Sequence, residues 1–577
     1  MKLFIVALYI SILSLSACNS LQKNTAQPVI HKQVVAQTTQ PRSERSLYLG
    51  AQTAMRNGQP LLAIQFLKAL LSQHSSSGEN SLRPKLQLAD LLLKSNHPNE
   101  ALQYLQEAVQ QTAINKENSP EQKSLYLMYA RSLAGAQKYS DALDFLAKVL
   151  NQHPDFIVAR HLQITLFVLT EQLPLAHIAI NIAIQQHDSA KLHQFQADVF
   201  SREGKFQKAS QSLKKMHALN PKDDTAILLL SQLELQQNHL DKAESILRDF
   251  NKLNPASLRV QHALARLLIQ SKHPQEATVI YKQMLKSLPQ SAEIQSALGL
   301  LYYQEKQFQK SADQFAKALQ IAPKNQNFRF YLASSLEVLQ KKKKARSLYQ
   351  QIDAHHELWQ EAQLRLASMD FMEKKYTSSR QYIQKVLKQD STNNQAWILL
   401  STIYLAQEKY QKLLDQTQSA TALKQVPDRL YMNRAIAFEY FKRYKDVEST
   451  LKTLIHNNPN HADALNFLAY TYAEQGIKLD EAKKYIHRAL AKKTDDGYYL
   501  DSLAWIYYKN GEYNKAATTQ QKALKIINND ATMHDHLGDI FWQLDKKEKA
   551  IQQWQKALSL QPKEPALLHQ KIKYGIQ

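Results

Sequence analysis

The chain is 577 residues long, 44% hydrophobic and 21% charged, with a formal net charge of +22. That length exceeds what one compact core usually supports, so several domains or one repeat array are expected. Its 11 glycines and 17 prolines are too few for a strand-rich protein, and its many Leu, Ala, Gln and Lys residues favour an all-α fold. A single cysteine excludes an intramolecular disulfide and a Cys-based zinc site. The positive excess suits nucleic acid, anionic lipid or an acidic polymer. No Arg-rich cluster interleaved with aromatics is present, which argues against nucleic acid.

At the amino terminus, Met1-Lys2 supplies a positive start, and Leu3 to Leu13 is apolar apart from Ser11. Leu15-Ser16-Ala17-Cys18 follows. A basic start, a short apolar stretch and a small-residue site predict a secretory signal, too short to span a bilayer. The last four residues resemble the bacterial lipobox. That resemblance implies a diacylglyceryl group on the Cys18 thiol, cleavage just before it and an acylated new amino terminus. The alternative is an ordinary signal peptide carrying a chance cysteine. Several acyl chains on one residue would give stable anchoring, at about 0.8 kcal/mol per buried CH₂. Asn19, where inner-membrane lipoproteins of enteric bacteria commonly carry Asp, implies the periplasmic face of the outer membrane by the same resemblance. Residues 1–17 are thus read as a signal peptide, and 18–43, rich in Gln, Thr, Ser and Asn, as a lipidated polar tether.

Beyond the tether, Pro221, Pro255, Pro289 and Pro323 recur at a constant step of 34 residues, and Pro459 falls four further steps on. Ala209, Ala243, Ala277, Ser311, Ala345 and Ser379 keep the same step. Within Ala292 to Asn325 come Leu298-Gly299, Tyr302, Ser311, Phe315, Ala318 and Pro323. From Ala531 come Leu537-Gly538, Phe541, Ala550, Trp554, Ala557 and Pro562. This pattern resembles the tetratricopeptide repeat, which implies a superhelical solenoid of about fifteen helix pairs over residues 44–564. Unit starts are expected at Glu44, Leu82, Lys123, Ile157, Ala190, Asp224, Leu258, Ala292, Gln326, Gln360, Asn394, Asp428, Ala462, Gly497 and Ala531. The physical logic is that small residues at the eighth and twentieth positions let two amphipathic helices approach. Large apolar residues at the seventh, eleventh and twenty-fourth positions fill the seam, and proline ends the second helix. Residues 565–577 remain as a carboxyl-terminal tail, too short for a catalytic domain.

No phosphate-binding glycine loop, G-x-S-x-G elbow or H-E-x-x-H is present, and the chain is read as a non-enzyme with no cofactor and no metal. His355-His356-Glu357 falls at a junction between units. His534-Asp535-His536 lies within one helix, where adjacent residues point in different directions and do not easily share one ion, and it reads as a polar groove wall. Lys341 to Lys344 sit at the turn inside a unit and read as a solvated face. By resemblance to tetratricopeptide proteins, the second, fifth, ninth, twelfth and thirteenth positions of the first helix tend to face a groove. There this chain carries Asn466, Tyr470, Tyr498, Asp501, Trp505, Tyr508, Asp535, Asp539 and Trp542. Aromatics beside carboxylates and an amide suit a groove for proteins or peptides, although each aromatic is equally suited to packing between helices. The Lys and Asn clamp by which cytosolic members hold a terminal carboxylate is not evident at the matching positions.

The stretch from Ala464 to Ala516, with ALNFLAYTYAEQG, LDEA and DDGYYLDSLAWIYYKNGEYNKA, resembles the carboxyl-terminal units of large tetratricopeptide lipoproteins of Gram-negative bacteria. Some of these are outer-membrane adaptors that bind a periplasmic carboxyl-terminal processing protease and deliver cell-wall hydrolases to it. The resemblance implies an envelope scaffold of that kind. The alternative is an assembly lipoprotein for pili or exported polysaccharide, and the basic charge mildly favours an anionic envelope polymer as partner.

Overall fold

In a computed structural model, residues 43–73, 81–112, 119–562 and 564–576 are described. Cys18, the signal peptide and the tether through residue 42 lie outside the described residues. Among the described residues there are 31 α-helices and no strand, and none of these helices is long and apolar enough to cross a membrane. The chain divides into two compact bodies, Met1–Leu267 and Leu268–Gln577.

First helices of the units begin at Glu44, Leu82, Ile157, Ala190, Leu258, Ala292, Gln326, Asn394, Asp428, Ala462, Gly497 and Ala531. The remaining three begin at Pro120, Thr225 and Trp359, within three residues of the positions the periodicity predicts. Short polar side chains recur just before these helices and accept from the first-turn amides, as Ser291, Asn325, Asn393 and Asp530 do. Between the helices of a pair, one residue adopts the left-handed conformation. This turn residue also repeats every 34 positions: Asn238, Lys272, Lys306, Gln340, Lys374, Glu408 and Lys442 all have φ between 55° and 64°. A side chain there costs about 1–2 kcal/mol against glycine, more than the entropy that glycine loses on folding. Exposed Lys374 should therefore tolerate Lys374→Gly with a gain of about 0.5–1 kcal/mol in urea unfolding. A lower unfolding midpoint would show that the lysine contributes something besides the turn.

In the first body, apolar faces gather around Leu67, Leu88 and Leu105, then Leu133 and Leu146, then Ile164 and Ile180. The second body holds a continuous core from Leu364 to Ile506, flanked by clusters around Phe315 and Phe330 and around Trp554. Small polar residues at the twentieth position also tie the pair together. Ser311 Oγ donates to the Gly299 carbonyl at 2.8 Å, and Ser379 Oγ to the Ala367 carbonyl at 2.7 Å.

Two units of the second body depart furthest from this regularity. Most second helices run 14 residues, as Phe308–Ile321 and Tyr376–Gln389 do. Lys342–Gln350 has only 9 and Tyr410–Gln416 only 7, the latter followed by a 3₁₀ turn at Ser419–Ala422. The segment read as a tail forms a further helix, Pro565–Tyr574, packed against the last pair.

Candidate functional site

The first helices at Asp428, Ala462, Gly497 and Ala531 bring corresponding positions of successive units side by side, because each unit repeats the same local geometry. Trp505 lies at the centre. Its ring stacks on His536 with centroids 4.0 Å apart and planes 16° from parallel, and on Tyr508 at 4.6 Å and 9°. Its indole N–H donates to Glu474. Trp505 is only 6% exposed. Its position thus serves packing between units, with one edge of the stack continued by Lys509, whose Nζ sits 4.9 Å from the ring centroid.

Asp501 is buried beneath this stack. It accepts from Gln520 Nε2 at 2.5 Å and pairs with His536 Nδ1 at 2.9 Å. Burial pulls the His536 pKa down, but the adjacent Asp501 charge, helped by Asp535 and Asp539, leaves it raised. The histidine therefore favours its charged form, stacked on an indole face that suits a cation. Tyr470, 6.4 Å from the His536 ring, is pushed up by burial and by the Glu474 charge. Burial, and then the Glu474 charge, likewise raise Glu439.

The last unit holds a second polar centre. Buried Asp539 accepts from Trp554 Nε1 at 2.9 Å and from Lys571 Nζ at 2.8 Å, and Lys571 also reaches Asp535 at 2.7 Å. Burial raises the Asp539 pKa, and the Lys571 charge opposes that rise. Burial, and then the Asp539 charge, push the Tyr508 hydroxyl up to about 12. Trp542 packs against Trp554 at 5.5 Å. Gly575, with φ of 77°, lies so close that a Cβ there would fall 2.0 Å from the Trp542 ring. The carboxyl-terminal helix thus occupies part of the face on which Asp535, Asp539 and Trp542 were expected to meet a partner.

Of the nine residues singled out from the sequence, Tyr470, Asp501, Trp505 and Tyr508 join the stack around His536. Asp535, Asp539 and Trp542 meet the carboxyl-terminal helix. Tyr498 is 55% exposed and takes no part in either group. Asn466 is half-buried, and its Oδ1 has no hydrogen-bond partner among the described residues. The sequence reading took His536 only as part of a polar groove wall and overlooked Glu439, Glu474, Gln520 and Lys571 as members. The 34-residue step could have found Glu474, which lies one turn from Tyr470 and one unit before Trp505. Nothing in the repeat pattern points to Lys571.

His534 and His536 turn to different partners. His534 meets Gln553 at 2.7 Å and the Asn528 carbonyl at 3.1 Å, whereas His536 meets Asp501. His356 Nδ1 accepts from the Leu358 amide at 3.2 Å, as a local turn cap. Among the described residues no three His, Cys, Asp or Glu side chains gather as a metal site.

The tetratricopeptide-repeat family matches residues 92–163, 201–267, 292–325, 498–530 and 531–564. The TPR repeat-containing protein PA4667 of Pseudomonas aeruginosa is 31% identical over 144 residues, which cover 24% of this chain and 24% of that protein. Among solved structures, the APC/C hetero-tetramer Cut9-Hcn1 gives a TM-score of 0.36 at 14% identity, over 93% of this chain and 97% of that one. MamA from Desulfovibrio magneticus RS-1 gives 0.26 at 19% identity, over 29% of this chain and 93% of that one. The chain carries tetratricopeptide repeats.

Proposed function

We propose that this tetratricopeptide-repeat chain is a lipid-anchored interaction scaffold of the bacterial envelope. It brings a periplasmic carboxyl-terminal processing protease together with cell-wall hydrolase substrates. Tetratricopeptide repeats serve protein–protein interaction, and stacked helix pairs offer extended surfaces for it. Anchoring one partner beside another raises effective concentration without any chemistry by the scaffold. Support for the anchor is Leu15-Ser16-Ala17-Cys18, and support for the adaptor role is the likeness carried by Ala464 to Ala516.

The observation that carries most weight for the kind of partner is the carboxylate-rich, aromatic region of the last units. Glu439, Glu474, Asp501, Asp535 and Asp539 outnumber the basic groups Lys509, His536 and Lys571 there, although the whole chain is strongly basic. Tyr508, half-buried at its edge, and exposed Tyr498 on the same helix suit a basic or aromatic protein segment better than an anionic polymer. Pilus or polysaccharide assembly, the second reading, rests on likeness to lipoproteins that serve there, and the anionic polymer that net charge favours finds no support at this edge.

Affinity purification from crosslinked envelopes tests the scaffold: a processing protease and a cell-wall hydrolase are expected together, and recovery of neither would overturn the adaptor role. For the anchor, mass spectrometry of the mature amino terminus should show acylated Cys18, and Cys18→Ala should release the protein from the membrane fraction. An unmodified Cys18, or a membrane-bound Cys18→Ala protein, would remove the anchor from the proposal.

A further inference from the structure

From Ala292 onward every unit carries leucine at its seventh position, such as Leu366, Leu400 and Leu468, except the unit beginning at Asp428, which carries Arg434. That position fills the seam against the preceding helix pair, and Arg434 is accordingly buried, at 5% exposure. The preceding unit is the one whose second helix stops after Gln416. Its broken end supplies the arginine's partners. Arg434 Nη1 donates to the Leu414 carbonyl at 2.9 Å and Thr417 Oγ1 at 2.8 Å, and Nη2 to Gln418 Oε1 at 2.8 Å. All three acceptors are neutral. Three of the five guanidinium N–H groups are thereby used and two remain.

A buried cation held only by neutral dipoles is costly compared with one facing an anion. Burial, reinforced by the charge of Arg443 and opposed by that of Asp446, lowers the Arg434 pKa. The two arginines flank one ring, with Arg434 Cζ 5.5 Å and Arg443 Cζ 4.7 Å from the Phe438 centroid. Arg443 spends its Nε on Asp446 at 2.8 Å, is half-exposed, and leaves its terminal amino groups out of that pair. Between them lies a cavity of about 360 Å³, also lined by Gln411, Gln418 and Asp415. The Asp415 carboxylate is engaged by Gln411 Nε2 at 2.8 Å.

We propose that this cavity binds the carboxylate of an Asp or Glu side chain presented by a protein partner, with Arg434 as the buried anchor and Arg443 as the outer arm. The planar guanidinium pair matches the two oxygens of a carboxylate. Phe438 and Leu414 receive the side chain's methylenes, and the two glutamines can meet the peptide groups beside it. This site rests on the reading of the chain as a protein-interaction scaffold and adds to it the partner's acidic chemistry at one position.

The test uses the full-length protein and three probes at matched ionic strength: N-acetyl-glutamate methylamide, its glutamine counterpart and inorganic phosphate, followed by ligand-observed NMR. The glutamate probe should bind at least about tenfold more tightly than the glutamine probe. Arg443→Gln, at an exposed position, should weaken glutamate binding about tenfold with unchanged melting, and Arg434→Leu, which restores the residue of the other units, should abolish it while retaining the fold. Equal binding of the glutamate and glutamine probes overturns the site. So does phosphate binding without glutamate binding, or glutamate binding that survives both variants. Capture from crosslinked envelopes separates this proposal from the scaffold reading. If the Arg443→Gln protein captures every wild-type partner at full yield, the acidic site fails and the scaffold stands. If the wild type captures none, the scaffold itself fails.

Discussion

Replacing Trp554 with alanine should destabilise the last units by about 3–5 kcal/mol, the cost of emptying a fully buried aromatic site. Trp554 is 0% exposed and is among the largest side chains withdrawn from solvent in the molecule. Its ring lies directly on Gly538, where a Cβ would fall 2.4 Å from the indole. Its N–H is also one of the donors that satisfy buried Asp539. Truncation therefore leaves a void and a carboxylate short of a donor. Gly538→Ala should cost about 1–3 kcal/mol by overpacking the same contact. The double variant should lose less than the two single losses combined, because the alanine methyl then occupies space the tryptophan vacated. Hydrogen exchange is the measurement of choice, since a repeat array need not unfold in one step. Faster exchange should be concentrated in residues 531–574. A loss below 1 kcal/mol for Trp554→Ala would mean that the Gly538 contact does not hold the pair together.

Asp501→Ala should cost about 3–5 kcal/mol, the usual consequence of removing one partner of a buried ion pair. The aspartate holds both Gln520 and His536, and the variant leaves His536 without its carboxylate partner and Gln520 with only the Met533 carbonyl, 2.9 Å away. The slope of stability against pH should also change sign between the two proteins. In the wild type the folded His536 pKa is raised above its ordinary 6.5, so this contribution to stability is complete below pH 6.5 and is lost as pH rises through the folded value. In Asp501→Ala the strongest opposition to burial is gone and the histidine pKa falls. Stability of the last units should then improve as pH rises from acid toward neutrality. Melting curves between pH 5 and 9, on the wild type, Asp501→Ala and His536→Leu, would show this, with His536→Leu lacking the dependence. The same slope in all three proteins would remove His536 from the account.

Helix content, pairing and the starts of most first helices were legible because they are local. The 34-residue step places small residues where helices cross and large ones in the seam, and capping residues such as Asn325 and Asp530 mark the starts. The groove residues were harder. A first-helix aromatic can face either a partner or the next unit, and spacing within one unit does not distinguish them. Trp505 is drawn inward because His536, one unit on, offers a ring at stacking distance and Glu474, one unit back, accepts its N–H.

The sequence by itself determined the all-helical repeat and the shape of each pair, since backbone propensity and hydrophobic period act over a few turns. Only the tertiary structure decided what lies across the unit boundaries. Lys571 reaches Asp535 and Asp539 from a short helix outside the repeat pattern, and Arg434 meets the carbonyl of a helix that ends early. Those contacts join residues whose individual surroundings look ordinary along the chain. Their partners are fixed by how one pair seats on the next, through burial, charge and the few hydrogen-bonding atoms left free at each end.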